Sequence, residues 1–108
     1  MEKFEVTNGI LFVKTDLDMS SDIRLEERFQ SACQKLLQCD TKELYIDLTK
    51  VKYISSLGLG IIMGTFTEAQ DKGKELIVKV APKLHELLSS IAANVMQVKL
   101  VENPDDSD

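Results

Sequence analysis

The chain has 108 residues, 44% of them hydrophobic, which suffices for one packed domain but not for two. Its formal net charge of −5 argues against a nucleic acid ligand, because phosphate backbones attract basic surfaces. The two cysteines, Cys33 and Cys39, are too few for a disulfide framework or a zinc site, so both are expected to be buried and reduced. The sequence contains no signal pattern and no apolar run of membrane-spanning length, and we expect a cytosolic protein.

The N-terminal residues predict a β-hairpin. Phe4 and Val6 alternate with polar residues and lead to Asn8-Gly9, the pair that two-residue hairpin turns favour because both positions need positive φ. Residues 10–13 are apolar at consecutive positions, so this second strand is expected to be covered on both faces.

A polar connection, residues 15–22, leads into an amphipathic helix that Ser20, Ser21 or Asp22 can cap. The pattern ends at residues 39–41. Its apolar residues fall on one face at helical spacing: Leu25, Phe29, Ala32, Cys33, Leu36 and Leu37.

The middle of the chain predicts a short strand over residues 44–48 and a helix over residues 59–72. Gly60 and Gly64 are expected to let this helix approach the sheet closely, and Gly73 suits the position that follows its C-cap. The buried stripe is predicted to comprise Leu59, Ile62, Met63, Phe66 and Ala69.

The C-terminal part predicts a strand over residues 76–80, a third helix that begins at Pro82 and ends at residues 92–94, and a last strand over residues 95–101. The apolar stripe of this helix is Leu84, Leu87, Leu88 and Ile91.

The order of these elements predicts an α/β fold. Strands that alternate with helices indicate a mostly parallel four- to five-stranded sheet with helices packed on it, preceded by the N-terminal hairpin. We expect one domain over residues 1–102 and a disordered acidic tail over residues 103–108.

The sequence provides little support for an enzyme. His85 is the only histidine, and no serine lies in a Gly-x-Ser-x-Gly motif. Gly58, Gly60 and Gly64 do not match the dinucleotide-binding spacing, since the last glycine comes one position late. Asp16 and Asp18 have no third ligand at a spacing that favours a metal site, so no metal or cofactor is expected.

The connection between the strand at 44–48 and the following helix contains two adjacent hydroxyls, Ser55 and Ser56. The first turn of a helix has unpaired N–H groups and a partial positive charge, so a phosphate there would be stabilised. Either serine can equally serve as an ordinary N-cap.

Residues 46–60 resemble the signature of STAS-domain anti-sigma factor antagonists. That signature has an apolar-Asp-Leu stretch, an aromatic residue, and then Asp-Ser followed by a small residue and Gly-Leu-Gly. Residues 15–18 are similar to the family's acidic loop, residues 73–76 to its turn into the next strand, and Pro82 to the proline that begins its third helix. The resemblance extends over nearly the whole chain.

The resemblance implies a binding module rather than an enzyme. Its register aligns Ser56 with the serine that an anti-sigma factor, itself a serine kinase, phosphorylates. The unphosphorylated form binds this kinase and frees the sigma factor, and a phosphatase reverses the modification. The surface implied for the partner is one exposed patch of Asp18, Ser55, Ser56, Leu57, Gly58 and Leu59.

The chain departs from the signature at two positions. Ser55 stands where the family usually has aspartate, which leaves Ser55 as an alternative phosphorylation site, and Leu57 stands where it has a small residue. The alternative function is a phosphorylation-independent STAS module in a regulatory or secretion-linked complex. The family's usual closing helix is not predicted, so either the domain is minimal or a partner or second copy covers that face of the sheet.

Overall fold

The computed structural model describes residues 3–19, 22–86 and 97–100. In addition to the elements below, residues 82–86 are helical. The elements in chain order are β1 (Phe4–Thr7), β2 (Ile10–Val13), α1 (Ile23–Leu37), β3 (Glu43–Leu48), α2 (Ser56–Asp71), β4 (Glu75–Val80) and β5 (Gln97–Leu100).

The five strands form one sheet in the order β1-β2-β3-β4-β5. β1 runs antiparallel to β2, and the other neighbours are parallel, which confirms the predicted α/β class and its N-terminal hairpin. Asn8 has φ 50° and Gly9 has φ 81°, so the turn has the two positive φ values expected of its sequence.

The fully buried side chains of the sheet lie on one face. The register aligns Leu11, Ile46 and Val78 across three strands, and all three are buried. Right-handed crossovers between strands added in one direction bring the connecting helices to a single face. β2 therefore differs from the expectation of cover on both faces, since Ile10 and Phe12 are only half-buried.

Asp22 is the residue that caps α1. Its Oδ1 accepts hydrogen bonds from the backbone N–H groups of Arg24 at 3.0 Å and Leu25 at 3.3 Å. The other two predicted caps, Ser20 and Ser21, lie outside the described residues.

The buried face of α1 consists of the six residues predicted for it. Phe29 is fully buried and stacks on Phe4 of β1 with 5.5 Å between the ring centroids. Burial raises the pKa of the Cys33 thiol to about 11, which keeps it protonated and unreactive near neutral pH. Cys39, by contrast, is half-buried rather than fully buried.

α2 begins three residues earlier than predicted, at Ser56. Ile62 and Ala69 are buried as expected, whereas the other three residues of the predicted stripe are only half-buried. At Gly60 and Gly64 an added Cβ would meet no atom within 4 Å, so the expectation that these two glycines permit a close approach is wrong.

The end of α2 and the segment after β4 agree with local sequence signals. Gly73 follows the C-cap with φ 73°. Pro82 is the first residue of the helical segment, and the Ala81 carbonyl accepts bonds from the N–H groups of Leu84 and His85. The remainder of the predicted third helix, and the predicted acidic tail, lie outside the described residues. No helix in the described ranges is both long and apolar enough to span a bilayer.

Candidate functional site

The connection from β3 to α2, residues 49–55, is anchored on both sides. Val51 and Ile54 are buried, at 2% and 5% exposure, and hold the segment against the core. The Asp16 carboxylate accepts a hydrogen bond from the Lys52 N–H at 2.8 Å. Asp16 therefore holds this connection in place.

A short parallel bridge joins the acidic loop to this connection. The bridge pairs Leu17 with Ile54. The Leu17 N–H donates to the Tyr53 carbonyl at 2.9 Å, and the Ser55 N–H donates to the Leu17 carbonyl at 2.8 Å. Asp18, the next residue along the loop, is therefore positioned beside the start of α2.

Ser55 is the N-cap of α2 and is only 8% exposed. Its Oγ accepts hydrogen bonds from the N–H groups of Gly58 and Met19, each at 3.3 Å. One hydroxyl thus satisfies a backbone donor of the helix and another of the acidic loop. Ser55 is a structural residue of the site.

Ser56 is the first residue of α2, and its side chain is exposed. Leu57 follows at 47% exposure, and Tyr53, on the other side of the cap, is 50% exposed. The first turn of α2 has no acidic residue, so its partial positive charge is not compensated there. The hydroxyl of Ser56 is therefore both accessible and in a position that favours an attached anion.

Gly58 is the glycine at which close packing occurs. A Cβ at this position would lie 3.1 Å from Ile54 Cγ1 and 3.4 Å from both the Cβ and the carbonyl oxygen of Leu17. A side chain here would push α2 away from the bridge between the acidic loop and the connection. Gly58 thereby sets the position of Ser56 relative to that loop.

The six residues expected to form one exposed patch differ in exposure. Ser56 and Leu57 are exposed and Asp18 is partly exposed, whereas Leu59 is half-buried. The remaining two, Ser55 and Gly58, are buried and support the surface from beneath. Tyr53 belongs to the exposed surface but was not among the predicted site residues, although an aromatic residue at its position is part of the signature.

The residues that were considered for catalysis and for metal binding lie at two places in the fold. His85 lies in the helical segment of residues 82–86, which follows β4. Within residues 3–19, 22–86 and 97–100 no three side chains of His, Cys, Asp or Glu are grouped so that they could hold a metal ion.

Exchanging each serine for alanine should separate the two roles. Ser55→Ala leaves the N–H groups of Met19 and Gly58 without their partner, so we expect a loss of about 1–2 kcal/mol in the free energy of unfolding. Ser56→Ala removes an exposed hydroxyl and should change that free energy by less than about 0.5 kcal/mol. Urea denaturation followed by circular dichroism measures both, and equal losses would contradict the assignment of the cap to Ser55.

Comparison with known proteins identifies the family. The STAS domain model matches residues 3–102. Anti-sigma-B factor antagonists from strains of Staphylococcus aureus are 26% identical over 74 residues, which is 68% of this chain and 68% of theirs.

Solved structures share the fold. A structure of a candidate anti-sigma factor antagonist of Thermotoga maritima gives a TM-score of 0.68 at 13% identity, with 96% of this chain and 89% of that chain covered. A structure of the diguanylate cyclase SiaD in complex with its activator SiaC, from Pseudomonas aeruginosa, gives 0.64 at 14% identity, with 90% and 88% covered. With a family match over nearly its full length and the corresponding fold, the chain belongs to the STAS domain family.

Proposed function

We propose that this chain is an anti-sigma factor antagonist that works in the cytoplasm as a phosphorylation-switched binding module. Unphosphorylated, it binds an anti-sigma factor that is a serine kinase, and the kinase then releases its target. Phosphorylation of Ser56 ends this binding, and a phosphatase restores the original state. In this proposal the chain is the substrate of a kinase and has no catalytic activity of its own.

The observation that supports this proposal best is the difference between the two adjacent serines. Ser55 is buried, and two backbone N–H groups share its hydroxyl, so a kinase could reach it only by breaking those bonds. Ser56 is exposed at the first position of α2. Exposure and packing thus favour the serine that the family resemblance also favours.

A phosphate on Ser56 would change the surface without changing the fold. It adds about 1.5 to 2 negative charges at the N-terminus of α2, where the helix dipole and unpaired N–H groups stabilise an anion. The first turn of α2 itself contains no carboxylate, and the carboxylate of the proposed contact surface is that of Asp18, on the bridged loop. In a complex, the same charge must lose its water or approach negative charges of the partner, and either effect weakens binding.

The proposed contact surface combines charge and apolar area around Ser56. Leu57 and Tyr53, each about half exposed, provide apolar area beside the hydroxyl, and Asp18 contributes a carboxylate from the bridged loop. Ser55, Gly58 and Leu59 support this surface. Aromatic side chains that lose water at the centre of an interface supply much of its binding energy, so Tyr53 is the expected anchor and Leu57 adds apolar area beside it.

A second function follows from one observation, the hydroxyl at position 55. The family's aspartate is replaced there by a serine whose Oγ serves as a cap. Without that carboxylate, the module can bind its partner constitutively in a regulatory complex. SiaC, a protein of the same fold, is an activator that binds the diguanylate cyclase SiaD. The partner of a protein with this fold therefore need not be an anti-sigma factor.

The experiment that separates these functions is site-resolved mass spectrometry of the chain expressed in its own host. The switch predicts a phosphorylated fraction, about 80 Da heavier, that carries its phosphate on Ser56 and is absent from Ser56→Ala. A phosphate that persists in Ser56→Ala and maps to Ser55 would contradict the assignment. No phosphate under any growth condition would favour the constitutive module.

A further inference from the structure

The outer edge of β1 offers unpaired backbone groups. The N–H of Lys14 donates to the carbonyl of Lys3 at 2.8 Å, and the β1–β2 register places Glu5 in the next position of this kind. In an antiparallel pair only alternate residues bond to the neighbouring strand, so the N–H and C=O groups of Phe4 and Val6 point away from β2. β1 is an edge strand of the sheet, and no other strand of the described ranges covers its outer edge.

A groove of about 640 Å³ lies between this edge and α1. The side chains of Phe4 and Val6 are half-buried and form its apolar floor. Arg28, Ser31 and Lys35, on successive turns of α1, line its opposite wall. The groove therefore joins a free strand edge to a helix flank that carries two cations.

The charge of the groove is positive although the chain is acidic. Within the described part of the chain, no carboxylate forms an ion pair with Lys3, Arg28 or Lys35. The one acidic residue that lines the groove, Glu5, is paired with Lys14 at 2.8 Å. Among the described residues these three cations thus have no charged partner, although the net charge of the chain is −5.

The charges of α1 differ between its two flanks. The flank that faces α2 lines a separate groove in which Glu27 and Glu68 supply the charged groups. Arg28 and Lys35 lie on the other flank, toward β1. The acidic Glu27 and the basic Arg28 and Lys35 thus lie on opposite flanks of α1, and the basic residues lie on the flank beside the edge of β1.

We infer that this groove binds an extended acidic peptide segment of a partner protein, which joins β1 as a sixth strand. The N–H and C=O groups of Phe4 and Val6 would bond to alternate residues of that segment. Every second side chain of that segment would then lie on the same face of the sheet as Phe4 and Val6, toward α1, where carboxylates meet Arg28 and Lys35. This surface is formed by β1 and α1, so binding here does not require Ser56 or its phosphorylation.

A nuclear magnetic resonance titration of the full chain with a blocked peptide of alternating Glu and Val tests the inference. We expect hydrogen exchange of the Phe4 and Val6 amides to slow by at least about tenfold at saturation, because both gain a hydrogen bond. The amide of Glu5 already bonds to β2 and serves as the internal control, since its exchange should not change.

Two controls test the role of charge. The double substitution Arg28→Glu and Lys35→Glu should weaken peptide binding by at least about tenfold, whereas Lys72→Glu, at the C-terminal end of α2, should leave it unchanged. A peptide of alternating Lys and Val should not bind.

Each outcome is decisive. Slowed exchange at Phe4 and Val6 together with loss of binding in the double variant supports the sixth strand. Binding of the Glu peptide without slower exchange would overturn strand addition, because the cations alone would then account for the attraction. If the double variant binds the Glu peptide as tightly as the wild type, or if the Lys peptide binds equally well, the inference that the partner segment is acidic is wrong. If the Glu peptide does not bind at all, the inference that the groove is a peptide-binding site is wrong.

Discussion

Ser56→Asp should weaken binding of the proposed kinase by at least about tenfold, equivalent to about 1.4 kcal/mol, without unfolding the chain. The substitution places one negative charge at the exposed first position of α2, next to the apolar contacts of Leu57 and Tyr53. The fold should become slightly more stable, by about 0.3–1 kcal/mol, because an acidic side chain at a helix N-terminus interacts favourably with the dipole. Titration calorimetry with the purified kinase and urea denaturation measure the two effects.

Ser56→Asn is the matched control, because asparagine has the shape of aspartate without its charge. We expect this variant to bind within about threefold of the wild type if charge is the cause of release. Equal weakening by both variants would show that shape, and not charge, controls the complex. An unfolded Ser56→Asp variant would show that Ser56 is a structural residue and would rule out the switch.

Phe29→Ala should lower the free energy of unfolding by about 3–5 kcal/mol. Phe29 is fully buried and joins α1 to the hairpin through its stack with Phe4. The loss is a large part of the roughly 5–15 kcal/mol that stabilises a typical domain. Urea denaturation by circular dichroism measures it, and a loss under about 1 kcal/mol would mean that α1 does not pack on β1 as described.

Ile23→Ala provides the comparison within the same helix. Ile23 is the first residue of α1 and is 71% exposed, so its truncation leaves no cavity and should cost less than about 0.5 kcal/mol. Phe29→Leu should fall between the two, since leucine fills part of the space and retains apolar contact with Phe4. A graded series of this kind would attribute the loss to packing and not to helix propensity.

The parts of the fold that the sequence predicts correctly depend on local chemistry. Positive φ at Asn8 and Gly9 follows from the hairpin turn, and Gly73 ends α2 because glycine readily adopts a left-handed conformation. Asp22 caps α1 through its own neighbouring N–H groups. In each case the residues that determine the structure lie within a few positions of one another.

The parts of the fold that differ from the sequence-based predictions depend on contacts between segments that are distant in the sequence. α2 begins at Ser56 because Ser55 caps it through the N–H of Gly58, a local contact that the sequence allows. The second bond of this hydroxyl, from the N–H of Met19, 36 residues earlier, is not signalled by any local pattern. Gly58 and Gly60 look equivalent in the sequence, yet only Gly58 faces Leu17 across the bridge. The same long-range bridge brings the acidic loop to the cap.

The candidate site was therefore only partly predictable. The family signature indicates Ser56 as the phosphorylated residue, but the preference of serine for the N-cap position applies equally to Ser55 and Ser56. Burial of Ser55 distinguishes them, and burial depends on the complete fold. Tyr53 illustrates the same limit, because its exposure could not be inferred from a pattern in which aromatic residues are usually core residues.

The strand order also has a consequence for how the chain forms during synthesis. Because the order of the five described strands in the sheet is their order in the sequence, each strand from β2 to β5 leaves the ribosome after a neighbour with which it pairs. The hairpin can close first from local contacts, and β3, β4 and β5 then extend the sheet in one direction. None of these five strands has to insert between two that are already paired, so a nascent chain can add each β-α unit to the edge of a sheet that has already formed.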